Sequence, residues 1–112
     1  MTEEVIPTVD SSVEVTLESA LGNKEVTLSI NNIPKNTKTI DYELSYQTEK
    51  QGLQGVIGTI KLDNEKSYQK KLTLGTCSSG TCVYHTVIGK IKLNLRFTGD
   101  YGERVFEKEV SL

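Results

Sequence analysis

The chain has 112 residues, enough for one domain around one hydrophobic core. Its 13 basic and 15 acidic side chains nearly cancel to a net charge of -2, without the strong basic footprint that nucleic-acid binding normally leaves. No apolar run approaches the ~20 residues of a membrane-crossing helix, so neither nucleic acid nor membrane insertion is expected.

Residues 1–12 are polar, contain Pro7 and show no sustained period, which predicts an N-terminal tail or linker. Met1-Thr2-Glu3-Glu4 is acidic and lacks the basic and apolar regions of a secretion signal. That start fits a cytosolic protein or a mature fragment carrying an added Met1. From residue 13 the pattern changes, and 13–112 reads as the folded domain. Val13, Val15 and Leu17 alternate with Glu14 and Thr16, the period of two that marks a half-buried strand. Gly22-Asn23 supplies a turn. Val26, Leu28 and Ile30 make a second strand, stopped by Asn31-Asn32 and Pro34.

The third strand has the clearest pattern: Ile40, Tyr42, Leu44 and Tyr46 share one face, Asp41, Glu43, Ser45 and Gln47 the other. Its two tyrosines are expected to pack in the core with their hydroxyls at the rim. Val56, Ile60 and Leu62 continue the alternation after Gly52 and Gly55, with Gly58 at an inward position, where a glycine signals a bulge or a close approach. A turn at Asp63–Lys66 precedes Tyr68, Leu72 and Leu74 on a fifth strand. A cysteine loop follows. Ile91, Leu93, Leu95 and Phe97 form a sixth strand, Gly99-Asp100-Tyr101-Gly102 a hairpin turn, and Phe106, Val110 and Leu112 a last strand. Strict alternation there turns Lys108 inward, which requires either a bulge or a lysine snorkelling at the edge.

About seven strands with no helix predict an all-β fold, an antiparallel sandwich. In sandwiches of the immunoglobulin type the sixth strand lies between the third and the seventh, and the charges are a check on that order. Lys90, Lys92 and Arg96 are basic, whereas Asp41 and Glu43 on the third strand and Glu107 and Glu109 on the last are acidic. A sixth strand lying between those two would set opposite charges side by side, each pair contributing about 0.2–1 kcal/mol. That placement makes the basic residues rungs of a ladder rather than a ligand patch.

Val26-Thr-Leu-Ser-Ile30 with Pro34, Ile40-Asp-Tyr-Glu-Leu-Ser-Tyr46, Leu72-Thr-Leu-Gly-Thr76 and Ile91-Lys-Leu-Asn-Leu95 together resemble strands two, three, five and six of the fibronectin type III and immunoglobulin-like superfamily. The resemblance covers residues 13–112 and consists of strand periods rather than a specific motif. Fibronectin modules usually carry a tryptophan on the second strand; this chain has none, and Ile30 falls near that place. What the resemblance implies is the fold and no ligand-binding residue.

Candidate chemistry centres on Cys77-Ser78-Ser79-Gly80-Thr81-Cys82. Ser-Ser-Gly-Thr is turn-forming, and residues facing each other across a short hairpin stand about 4.5–5.5 Å apart, within or close to disulfide range. A disulfide there staples the connection, and its persistence implies an oxidising compartment, extracellular or in the cell envelope. Cys77, Cys82 and His85 also lie close enough in sequence to suggest a metal, but structural zinc needs a fourth ligand that this set does not supply. No metal and no cofactor is therefore expected. His85 is the sole histidine and reads as an exposed loop residue, and Ser78 and Ser79 beside it lack the strand-to-helix turn and buried acid of a nucleophile site. Glu107 and Glu109 share a solvated strand face.

The expected function is accordingly non-enzymatic: a structural or protein-interaction module of a secreted or cell-surface protein, either monomeric or part of a multidomain chain. Its partner would be a protein or surface polymer. The alternative is a carbohydrate- or receptor-binding accessory domain using the loop around Cys82–His85, with Tyr84, His85 and Tyr101 as the candidate binding residues.

Overall fold

A computed structural model describes residues 7–20, 22 and 24–111. They form nine strands and no helix: β1 (Glu14–Ala20), β2 (Glu25–Asn31), β3 (Thr37–Thr48), β4 (Leu53–Lys61), β5 (Tyr68–Thr73), β6 (Gly75–Ser78), β7 (Thr81–Tyr84), β8 (Val87–Gly99) and β9 (Gly102–Val110). Seven of them make two antiparallel sheets, ordered β1-β2-β5 and β4-β3-β8-β9. The other two exceed the expected count of about seven. They arise because the cysteine loop is long enough to pair with itself, as β6 and β7.

Alternation decides which faces meet. Val15 and Leu17 of β1, Val26, Leu28 and Ile30 of β2, and Leu72 of β5 are buried and join one cluster with the inward residues of the other sheet. β3 contributes Ile40, Tyr42, Leu44 and Tyr46, and β8 contributes Ile91, Leu93, Leu95 and Phe97. Val26, Ile30, Ile40, Leu44, Leu93 and Phe97 retain essentially no exposed surface. The core thus lies between the two sheets, with β3 and β8 at its centre.

β8 lies between β3 and β9, the placement that the charges favoured. Asp41 stands directly opposite Arg96, and Lys92 opposite Glu109. The ladder is broken at Asn94, which separates Glu43 from Glu107. The pairs are juxtaposed rather than clamped: Arg96 approaches Glu103 at 3.9 Å, with both side chains well exposed.

Two local questions left open by the pattern have answers. The β8–β9 register runs unbroken from Ile91–Val110 to Gly99–Gly102, so no bulge turns Lys108 outward. Lys108 faces the same side as Phe106, and its Nζ donates to the Val15 carbonyl of the opposite sheet at 3.1 Å. It snorkels. Gly58 likewise sits in an unbroken β3–β4 register, opposite Tyr42. A Cβ there would overlap the Tyr42 phenol, so the glycine leaves room for an aromatic ring.

Pro7–Asp10 lie against the folded body. Val9 is buried, Thr8 forms a parallel bridge to Val105, and Val105 both donates to Pro7 and accepts from Val9. Residues 1–6 of the expected tail, and also Leu21, Asn23 and Leu112, fall outside the described residues.

Candidate functional site

The site begins at the end of β5. Leu74 is fully buried, whereas the chain after it leaves the sheets: no residue from Gly75 to Tyr84 belongs to the core. The short β6 and β7 therefore need another source of order. Cys77 and Cys82 stand directly opposite in the β6–β7 register with Cα atoms 4.0 Å apart, and their sulfurs are bonded. Ser79 and Gly80 make the turn, both with positive φ (50° and 80°), a conformation that costs glycine little. Cross-linking so short a loop stabilises by about 2 kcal/mol in the chain-entropy picture.

Val83 and Tyr84 are consecutive on β7 and point to opposite faces of the hairpin, yet neither face is covered. Val83 and Tyr84 are exposed at 56% and 43%. The Lys24 ammonium lies 5.0 Å from the Tyr84 ring centre, within cation–π range. A recess of about 280 Å³ beneath them is lined by Lys24, Tyr84, His85 and Val87, among others.

His85 does not behave as an exposed loop residue. Its backbone N–H donates to the Leu74 carbonyl at 2.8 Å, which draws it to the base of the hairpin, and only 8% of its surface remains exposed. There Nδ1 shares a 3.0 Å hydrogen bond with the Tyr46 hydroxyl, and the two rings meet at 5.9 Å with a 50° tilt. Tyr46 is itself 2% exposed, so its hydroxyl ends inside the protein and not at the rim. Burial raises the Tyr46 pKa above its ordinary value, because the phenolate would lose hydration there.

The structure brings Tyr84 and His85 to one place and Tyr101 to another. Tyr101 follows the far end of β8, whose 13 residues at about 3.3 Å each separate the two ends by about 40 Å. Thr37 donates its single hydroxyl proton to the Pro34 carbonyl at 2.7 Å, so the Tyr101 hydroxyl is the donor in its 2.7 Å bond to Thr37. Arg104 covers the Tyr101 ring from 5.0 Å. This arrangement braces the β8–β9 turn.

The sulfur chemistry open to the loop is narrow. With Cys77 and Cys82 joined, neither thiolate is available to a metal, and His85 faces Tyr46. Among the described residues, no three His, Cys, Asp or Glu side chains gather as a metal site. Ser78 and Ser79 lie at the hairpin tip and His85 beyond its base, so a serine–histidine pair is not assembled.

The sequence pattern did not single out the apolar residues exposed on the four-stranded sheet. Leu53 and Ile57 on β4, and Ile88 on β8, turn away from the core. Ile57 borders a shallow groove of about 760 Å³ across the outer sheet face, with Glu43, Asn94, Arg96 and Glu107. Odd-numbered positions on β4 were legible as outward-facing, but nothing in the alternation marked two of them as large and apolar for a reason.

Comparison with protein-family models, with curated proteins and with solved structures finds no match in any of the three. Among the described residues, no helix is long and apolar enough to cross a membrane.

Proposed function

We propose that the chain is a non-enzymatic β-sandwich module of the immunoglobulin and fibronectin type III kind, from a secreted or cell-surface protein, that engages a protein partner through its cysteine hairpin. The strand order supports the superfamily: β8 between β3 and β9 is the arrangement of the third, sixth and seventh strands of an immunoglobulin sandwich. The fourth strand pairs with β3 instead of extending the opposite sheet, which departs from the constant-type immunoglobulin order. The disulfide supports an oxidising, extracellular address.

One observation carries the interaction role. Val83 and Tyr84 are held outward on a hairpin that contributes nothing to the core and is closed covalently. A contact surface fixed before binding loses less conformational entropy when a partner arrives. Tyrosine is also the kind of anchor that dominates protein interfaces. His85 acts in this reading as the buried foot of the hairpin.

A second reading, a carbohydrate-binding accessory domain, draws on the recess where Lys24 stands over Tyr84, a cation and an aromatic ring suited to an acidic sugar. Immobilised extracellular matrix proteins and glycans, probed with the wild type, Tyr84→Ala and Val83→Ser, separate the two. Protein binding lost in both variants is the expected result. Glycan binding lost only in Tyr84→Ala would favour the second reading, and protein binding that survives both substitutions overturns the first.

A further inference from the structure

A sheet edge offers unpaired N–H and C=O groups to any strand that approaches, and folded proteins normally blunt such edges with charge, inward-pointing lysines or a covering segment. The two main sheets have four edges, β1, β5, β4 and β9. Three are blunted. β1 carries Glu14 and Glu18, and β5 carries Lys70 and Lys71. β9 carries Glu103, Glu107 and Glu109, turns Lys108 inward, and is partly covered by Pro7–Val9.

β4 has none of these devices. Its nine residues, Leu53–Lys61, are uncharged up to the terminal Lys61 and contain no proline. Their orientation follows from the ladder. Thr48 N–H donates to the Gly52 carbonyl and Leu62 N–H to the Lys38 carbonyl, at the two ends of the β3–β4 register. Bonded and non-bonded pairs alternate along an antiparallel ladder, so Gln54, Val56, Gly58 and Ile60 spend their backbone groups on β3. Leu53, Gly55, Ile57, Thr59 and Lys61 aim theirs at the open edge. Two of those five carry the largest exposed apolar side chains of the strand, Leu53 at 66% and Ile57 at 77%.

We propose that the β4 edge is a self-association surface, at which a second copy adds its own β4 antiparallel and joins the two four-stranded sheets into one, in place of a monomer. The occupant is a second copy because this edge is self-complementary. An antiparallel pairing centred on Ile57 overlaps the whole strand, sets Ile57 against Ile57 of the second copy, Gly55 against Thr59, and Leu53 against Lys61. No like charges meet along the strand, and the lysine stem covers the leucine. The pairing keeps buried face with buried face, and its two-fold axis closes the assembly at two subunits. An edge contact of this length is small, so the association is weak and depends on concentration.

Sedimentation of the intact protein from about 1 µM to 1 mM, the span of weak affinities, tests this together with backbone amide exchange. The expected result is a monomer–dimer equilibrium with amides of Gly55, Ile57 and Thr59 protected at high concentration and released on dilution. Ile57→Lys places two like charges at the axis and leaves the core untouched; it should weaken the dimer at least about 10-fold. Val83→Ser on the hairpin should leave it unchanged. A protein still monomeric at the upper concentration, with those amides exchanging freely, overturns the proposal. So does a dimer indifferent to Ile57→Lys, or an open-ended polymer.

Discussion

The cysteine hairpin and the β3–β8 pair are both antiparallel two-stranded units, yet they are ordered by different means. β3 and β8 bury eight large side chains between them, four from each strand, and no covalent link holds them. β6 and β7 bury none in the core and are closed by a disulfide. Burying a large apolar side chain stabilises by about 1.5–3 kcal/mol, so a strand pair inside the sandwich secures its geometry by packing alone. A pair outside it has no such term. The disulfide, the Gly80 turn and the His85 anchor take over that role. The lesson is that the cross-link marks where the core stops.

Substitutions should separate the two regimes. Phe97→Ala empties a fully buried site on β8 and should lower the unfolding free energy by about 3–5 kcal/mol in urea titration, whereas Val83→Ala on β7 should stay within about 0.5 kcal/mol. Equal effects would erase the distinction. Replacing both Cys77 and Cys82 by serine should cost about 2 kcal/mol or less globally. Amide exchange at Thr81–Tyr84 should accelerate far more than at Leu93, and uniform acceleration would show that the staple serves the whole domain.

Tyr46→Phe lies at the junction of the two regions. Losing the bond to buried His85 should cost about 1 kcal/mol, read by thermal unfolding. Its pH dependence has a definite sign. Burial raises the folded pKa of Tyr46, so the unfolded chain loses its phenolic proton first, and stability present below about pH 10 falls as pH rises past that value. The Phe variant should show a shallower alkaline decline, and an identical slope in both proteins would remove Tyr46 as the cause. Lys108→Met keeps the apolar stem and gives up only the bond to Val15; a loss below about 1 kcal/mol is expected, with Lys108→Ala costing more.

The strands of both sheets were legible because a period of two at Ile40–Tyr46 or Ile91–Phe97 has one physical meaning when one face is buried. The disulfide was legible for a similar reason, since a four-residue turn leaves two cysteines little choice. The burial of His85 was not. It goes with a main-chain bond to Leu74 at the base of the hairpin and a side-chain bond to Tyr46, 39 residues away in the chain. Neither leaves a local signature at His85 itself. Tyr101 was readable as a turn residue, but its separation from Tyr84 required the length and direction of β8.

The bridge at Thr8 has a mechanical consequence. Residues 7–9 run parallel to β9, with Val105 bonded to both Pro7 and Val9. A pull that draws the chain before Pro7 away from the chain beyond Val110 slides these two segments along each other and loads both hydrogen bonds at once, in shear. The β6–β7 hairpin, grasped at its base, would instead open one rung at a time until the sulfur link stopped it. The fold therefore meets tension along its length with two hydrogen bonds loaded together, and tension at the side with a covalent limit.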